Sequence, residues 1–134
     1  MILAAAILGF AGLQLAPYGP NHANPPITAK PAWPDAASRT LGARACLDCH
    51  SNETVWPWYA SVAPASWLVQ RDVEAGRSVL NLSERDHPQP GIGEVAEVLG
   101  EGEMPPGFYR LMHRSANLSA AETAGLTRAL AGLR

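Results

Sequence analysis

Lysine is nearly absent from this chain: Lys30 is the only one in 134 residues, and Lys and Arg together number 10 with no run of them anywhere. Phosphate backbones are gripped by clustered cations, so the scarcity argues against a nucleic-acid partner. Charge of either sign is thin, at 16% of residues with a formal net charge of −2, whereas 47% are apolar, enough for one packed domain at this length. Sustained apolar–polar alternation is missing too, which removes the signature of half-buried strands and leaves an all-α fold as the expectation. Cysteine is limited to Cys46 and Cys49. They stand too close together to staple a large loop and point to local chemistry with a metal, a haem or a thiol redox couple. Glycine and proline are plentiful by contrast, 12 of each, and predict long irregular connections between short helices.

The chain reads in three stretches. Residues 1–16 are nearly all apolar and carry no charge. They read as an export signal or an N-terminal membrane anchor, although the run is shorter than the roughly 20 residues of a spanning helix. No A-x-A cleavage site follows and Pro17 succeeds Ala16, so an uncleaved anchor is expected, with a buried terminal helix as the alternative. Residues 17–34 hold Pro17, Pro20, Pro25, Pro26, Pro31 and Pro34, which suits an extended tether between membrane and domain. The same stretch can instead wrap the domain surface with Trp33 as its anchor. Residues 35–134 form the domain proper.

Within that domain Asp35 is placed to cap a helix over about 36–46. Residues 52–64 read as a loop rich in Trp, Pro and Tyr. Ser66 is expected to cap the next helix, whose Val69, Val73, Gly76 and Leu80 share one face; Gly76 there is an accident or a point of close approach. A polar loop over 83–91 leads to the stripe Ile92, Val95, Ala96 and Leu99, ended by Gly100 and Gly102. Met104 to Gly107 make a turn, and Phe108 to His113 a short helical one. Ser119-Ala-Ala-Glu122 has the spacing of a capping box before a last helix carrying Leu126, Leu130 and Leu133.

Cys46-Leu47-Asp48-Cys49-His50 is the sequence form of c-type haem attachment. The two vinyl groups of a haem lie at one edge, and two thiols about one helical turn apart can each form a thioether there. The histidine that follows is then placed to give the iron its first axial bond. Two other chemistries use paired cysteines. A zinc site would recruit further ligands from His50, His87 and His113, but structural zinc sites usually repeat the pair and there is no second one. A thioredoxin-like disulfide expects an α/β pattern.

For a second axial ligand the candidates are Met104, Met112, His87 and His113. Met104 leads, because Pro105 biases it toward extended backbone and the two prolines stiffen its loop. His–His ligation through His87 or His113 is the runner-up, and the alternative for Met104 is a turn residue packing on the core. Trp56, Trp58, Tyr59 and Trp67 follow the motif closely, either as haem contacts or as ordinary core. Arg71 and Arg77 suit propionate pairing or a solvated helix face. Asn52, Asn81 and Asn117 match the glycosylation pattern and read instead as turn and cap residues.

The order of helix, C-x-x-C-H, long middle, Met-Pro loop and C-terminal helix resembles class I cytochromes c. A closer resemblance is to the bacterial haem-binding domain family of small, membrane-anchored or periplasmic c-type proteins. It rests on Cys46 through Thr54, on Trp56-Pro57-Trp58-Tyr59, and on Ala63-Pro64 through Val69. Further on it rests on Asp72-Val73, Gly76-Arg77, Leu80 through Ser83, Gly102 through Pro106, Tyr109, His113 and Leu118-Ser119 with Glu122. It spans most of residues 24–130 and includes Asn24-Pro25-Pro26. One departure is Glu84-Arg85-Asp86, where the pattern suggests an aromatic residue. The resemblance implies one covalent haem held by Cys46 and Cys49, with His50 as proximal ligand and Met104 as the distal one. A carrier of single electrons outside the cytoplasm is therefore expected, not an enzyme, working with redox partner proteins. A haem sensor or peroxidase-like enzyme with an open distal site, in which His113 serves as acid–base group, is the rival, and a haem-free zinc or interaction module the third reading.

Overall fold

Leu126 and Leu130 lie one turn apart on the last helix, and both are almost fully buried. With Leu80, Leu82, Leu99 and Leu133 they form the core, against which Trp33, Leu41, Ala45, Cys46, Leu47, Ile92 and Val95 pack. These contacts come from a computed structural model that describes residues 1–133. Every regular element among the described residues is an α-helix or a 3₁₀ turn, so the all-α expectation holds. The helices are α1 (Ile2–Leu13), α2 (Ala36–Ala45), α3 (Leu47–His50), α4 (Ala65–Val79), α5 (Val95–Gly100), α6 (Gly107–Met112) and α7 (Ala120–Ala131). Helices α2 and α5 both pack on α7, while α3 lies against α4.

The helix ends follow local chemistry. The Asp35 carboxylate accepts from Ser38 N at 2.6 Å and starts α2. Ser119 and Glu122 make both halves of the capping box that starts α7. Arg44 of α2 ion-pairs Glu122 and donates through Nε to Ser115 O at 2.7 Å, tying α2 to the start of α7. Ser66 does not cap α4 as expected. Pro64 already has helical backbone angles and Ser66 N donates to Val62 O at 2.9 Å, so the helix begins earlier and Ser66 is buried in its first turn.

Helix α1 is exposed along its length, and no helix among the described residues is long and apolar enough to cross a membrane. Gln14 just beyond it is tied to the domain: its side chain accepts from Ala63 N at 2.9 Å and donates to Ala63 O at 3.1 Å.

The proline-bearing stretch 17–34 lies along the domain surface, the wrapping alternative to the tether. Tyr18 donates to Glu74 at 3.0 Å, Asn24 to Thr54 O at 3.0 Å, and Thr28 N and Ala29 N both reach Ser83 O. Trp33 ends the stretch with its indole laid over Gly42, so closely that a Cβ there would collide with the ring. Prolines leave few N–H groups in such a strap, so the domain must supply donors toward its carbonyls and side chains. Arg77 is the main one, held by protein acceptors and not left on a solvated face. Its guanidinium donates to Ser51 O (2.8 Å), Ala23 O (2.9 Å), Asn24 Oδ1 (2.8 Å) and Thr54 Oγ1 (2.9 Å). Beside it Asn52 and Asn81 are buried: Asn81 donates to Asn52 Oδ1, and Asn52 donates to Pro26 O and Glu84. Arg85 N in turn donates to Ala29 O at 3.1 Å, so the 84–85 segment serves the strap.

Two outcomes follow from these ties. Arg77→Ala should cost about 2–4 kcal/mol in urea unfolding, because four hydrogen bonds are lost from a part-buried site. Arg77→Lys should recover only part of that, since an ammonium cannot reproduce the planar fork. The Arg44 hydrogen bond, then the Ser119 N–H, hold Glu122 at about 2. A depressed carboxylate stabilises the fold above its ordinary value of 4.5, and that contribution fades as pH falls through about 2. Acid unfolding of Glu122→Gln should therefore show a shallower loss of stability across this window than the parent chain.

Candidate cofactor site

The cysteine motif does not prolong α2. Cys46 caps the end of α2, and the chain restarts as the four-residue helix α3. Leu47 packs into the core from one side of this turn, which leaves Cys49 and His50 directed toward α4. The approach to α4 is close: a Cβ on Gly76 would run into the Cys49 carbonyl. Gly76 is therefore required by packing, and of its two readings the close approach is correct.

This docking sets the histidine. His50 Nδ1 lies 3.0 Å from both Gly76 O and Leu80 O, and His50 O accepts from Leu82 N at 2.8 Å. Carbonyls only accept, so Nδ1 carries the proton and donates to the pair. Burial pushes the imidazole below its ordinary value, keeping it neutral. A neutral ring with Nδ1–H fixed in this way presents an unprotonated Nε2, the state in which histidine binds a metal.

Cys46, Cys49, His50, Val79, Met104 and Phe108 line one cavity of about 360 Å³. A second, of about 350 Å³, is lined by Trp58, Tyr59, Val69, Met112 and His113, and shares Asp48, Cys49, Asp72, Pro106, Phe108 and Tyr109 with the first. Each has the size of a small-molecule or cofactor pocket, typically about 300–1,000 Å³. The rim is unusually apolar for a surface: Leu68, Val79, Phe108, Leu111 and Met112 are all exposed there.

The expected site residues separate accordingly. Cys46, Cys49, His50 and Met104 share one cavity. Met112 and His113 belong to the neighbouring one, without His50. His87 lines neither; it is exposed and its Nδ1 lies 3.3 Å from Glu84. Trp58 and Tyr59 face the second cavity, while Trp56 stacks on His22 at 4.8 Å and Trp67 lines neither. Arg71 reaches the first cavity and pairs with Asp72. No three His, Cys, Asp or Glu among the described residues converge as metal ligands, so the zinc arrangement does not form.

Two groups received no role in the sequence reading. Asp48, a spacer in the motif, accepts from Tyr109 Oη at 2.7 Å and from Val55 N at 3.1 Å. Tyr109 also packs against His113, its ring tilted by 38° with centroids 4.1 Å apart. The acidic residue between the cysteines was the available signal, but its partner lies 61 positions away.

A family model described as the haem-binding domain matches residues 8–131, nearly the whole chain. The chain belongs to the haem-binding domain family. No curated protein and no solved structure matches it. Membership in the haem-binding domain family suits the site: a bare, neutral imidazole nitrogen, a soft thioether in the same cavity, and partly exposed apolar walls. Burial pushes the thiols of Cys46 and Cys49 up to about 12, so without a bound group both stay protonated at neutral pH.

The Gly76 contact gives a prediction of sign. In an open helix Gly→Ala stabilises by up to about 1 kcal/mol. Here Gly76→Ala should instead destabilise by about 1–3 kcal/mol, because the obstacle is the backbone of α3. Unfolding in denaturant reads the sign, and haem content after expression should fall with it, since His50 loses its fixed orientation.

Proposed function

We propose that this chain is a monohaem c-type cytochrome domain, related to class I cytochromes c, that carries single electrons outside the cytoplasm. The carrying observation is the fork from His50 Nδ1 to Gly76 O and Leu80 O, which bares Nε2 in the cavity that holds both cysteines and Met104. In this reading Cys46 and Cys49 hold the haem edge as thioethers. His50 Nε2 is the proximal ligand, and Met104 supplies the distal thioether. The haem contributes a one-electron store whose potential is raised by a methionine ligand relative to two histidines. The chain's own residues orient it, exclude water with the walls from Val69, Val73, Val79 and Phe108, and leave one edge accessible to redox partner proteins. With both axial positions filled, no place remains for a substrate, and no enzyme activity is assigned. The apolar stretch of residues 1–16, largely the exposed helix α1, supports export and attachment to the membrane surface from the periplasmic side.

A second reading has its own observation. Met104 is 38% exposed. In the neighbouring cavity His113 has a buried Nδ1 with no partner. A distal site left open by Met104, with His113 beside it, would suit a gas sensor or a peroxidase-like enzyme.

Absorption spectra of protein exported alongside haem-maturation machinery separate the readings. Covalent c-type haem with a weak far-red sulfur–iron band, indifferent to carbon monoxide when reduced, is the expected result. Met104→Ala should abolish that band and admit carbon monoxide, and the Cys46→Ser, Cys49→Ser double variant should carry no covalent haem. Rapid carbon monoxide binding by the parent chain would favour the open-site reading. Absence of covalent haem would overturn both.

A further inference from the structure

The Met104 segment is held from both ends by very different means. On its N-terminal side Val98 O accepts from both Glu103 N (3.0 Å) and Met104 N (3.1 Å), fixing the segment to α5. On its C-terminal side come Pro105 and Pro106, which donate nothing, and then α6. The main backbone neighbour of α6 is the 3₁₀ turn Arg114–Ala116 that follows it. Phe108, Leu111 and Met112 on α6 are exposed. Among the described residues, one side-chain hydrogen bond joins the stretch 104–112 to the cysteine motif: Tyr109 Oη to Asp48 Oδ2, at 2.7 Å.

We propose that Asp48 and Tyr109 form a latch that closes the Met104–α6 segment over the cofactor cleft. Asp48 is a positioning residue inside the motif and Tyr109 its mate on the closing segment. Neither is an iron ligand. The inference rests on the reading of Met104 as distal ligand, and it explains how an exposed methionine is kept in place. Several features suit Asp48 to this role. It sits between the two cysteines, so it is fixed wherever they are fixed. Its Oδ1 accepts from Val55 N, and its own carbonyl accepts from Thr54 Oγ1 at 2.7 Å, so the turn after the motif holds its rotamer and leaves Oδ2 for Tyr109. Both cavities border the pair. A hydrogen bond from a phenol to a carboxylate is charge-assisted and partly shielded from water here, so it is stronger than a neutral surface contact. A thioether is a weak ligand, and a segment that carries one needs a second hold to lower its rate of opening.

The test uses the haem-loaded full chain. Tyr109→Phe keeps the ring packed against His113 and removes only the donor. Amide hydrogen exchange of α6 should then speed up roughly ten- to a hundredfold, the loss expected for one hydrogen bond to a charged group. Tyr18→Phe, which removes an exposed phenol–carboxylate bond to Glu74, should leave α6 exchange unchanged. Combining Tyr109→Phe with Asp48→Asn should open α6 no faster than Tyr109→Phe alone, because one bond is lost only once. Carbon monoxide binding to the reduced protein should accelerate in parallel with exchange. Unchanged α6 exchange in Tyr109→Phe, or additive effects in the double variant, would overturn the latch. Faster exchange with an unaltered carbon monoxide rate would overturn its link to Met104. The parent chain is read first: a missing far-red band there refutes Met104 ligation by itself, and the exchange result still decides whether the latch exists.

Discussion

The forked hydrogen bond from His50 to the last turn of α4 is the interaction on which the rest of the site depends. A helix end leaves carbonyls without intrahelical partners, as at Leu80, and Gly76 O, which already accepts from Leu80 N at 2.9 Å, keeps a second lone pair; both face α3. Taking an imidazole N–H there serves the fold and the chemistry together. The Leu80 carbonyl gains a partner, the Gly76 carbonyl gains a second one, the tautomer is chosen, and the opposite nitrogen is left bare. Gly76 makes the arrangement possible, because any side chain would hold α3 away from α4. The four-residue helix has little stability of its own, so its shape is imposed by Leu47 in the core on one side and this docking on the other.

Around that junction the fold spends its polar groups on a part of the chain that looks, by composition, like a linker. Asn52, Asn81, Ser83 and Arg77 are buried or half-buried, and each is engaged with the strap 17–34 or with its neighbours beneath it. Buried polar groups left unpaired are expensive, so such a network fixes one arrangement of the loops leading out of the motif. The apolar residues are divided differently. Leucines from α5, α7 and the 80–82 segment fill the core, whereas Phe108, Met112 and Leu68 remain partly exposed at the cleft. A second apolar surface belongs to α1, which lies outside the core altogether.

Much of this was legible in the sequence where the signal is local. The capping box Ser119–Glu122, the Asp35 cap and the leucine face of α7 each depend on residues within a turn or two, and each forms as read. Ser66 misled because a serine before an apolar run resembles a cap, while the proline upstream had already set the helical angles. Arg77 misled because a charged residue on an amphipathic helix usually faces water; the strap that buries it lies more than 50 positions away. His87 looked as good a ligand as His113 from sequence, since nothing in the spacing says which loop folds toward the cleft.

The sequence by itself determined the all-helical class, the core leucines on the helical faces and the grouping of Cys46, Cys49 and His50 within about one turn, because these rest on short-range periodicity, capping and the reach of neighbouring side chains; Leu82, in a loop, carried no such signal. Only the tertiary structure decided the tautomer of His50, the need for glycine at 76, the placement of Met104 with the motif, and the bond from Asp48 to Tyr109. Those depend on carbonyls, cavities and partners brought together by packing across 26 to 61 positions. Contacts at such separations leave no period or spacing in the sequence; they exist only once the core has closed.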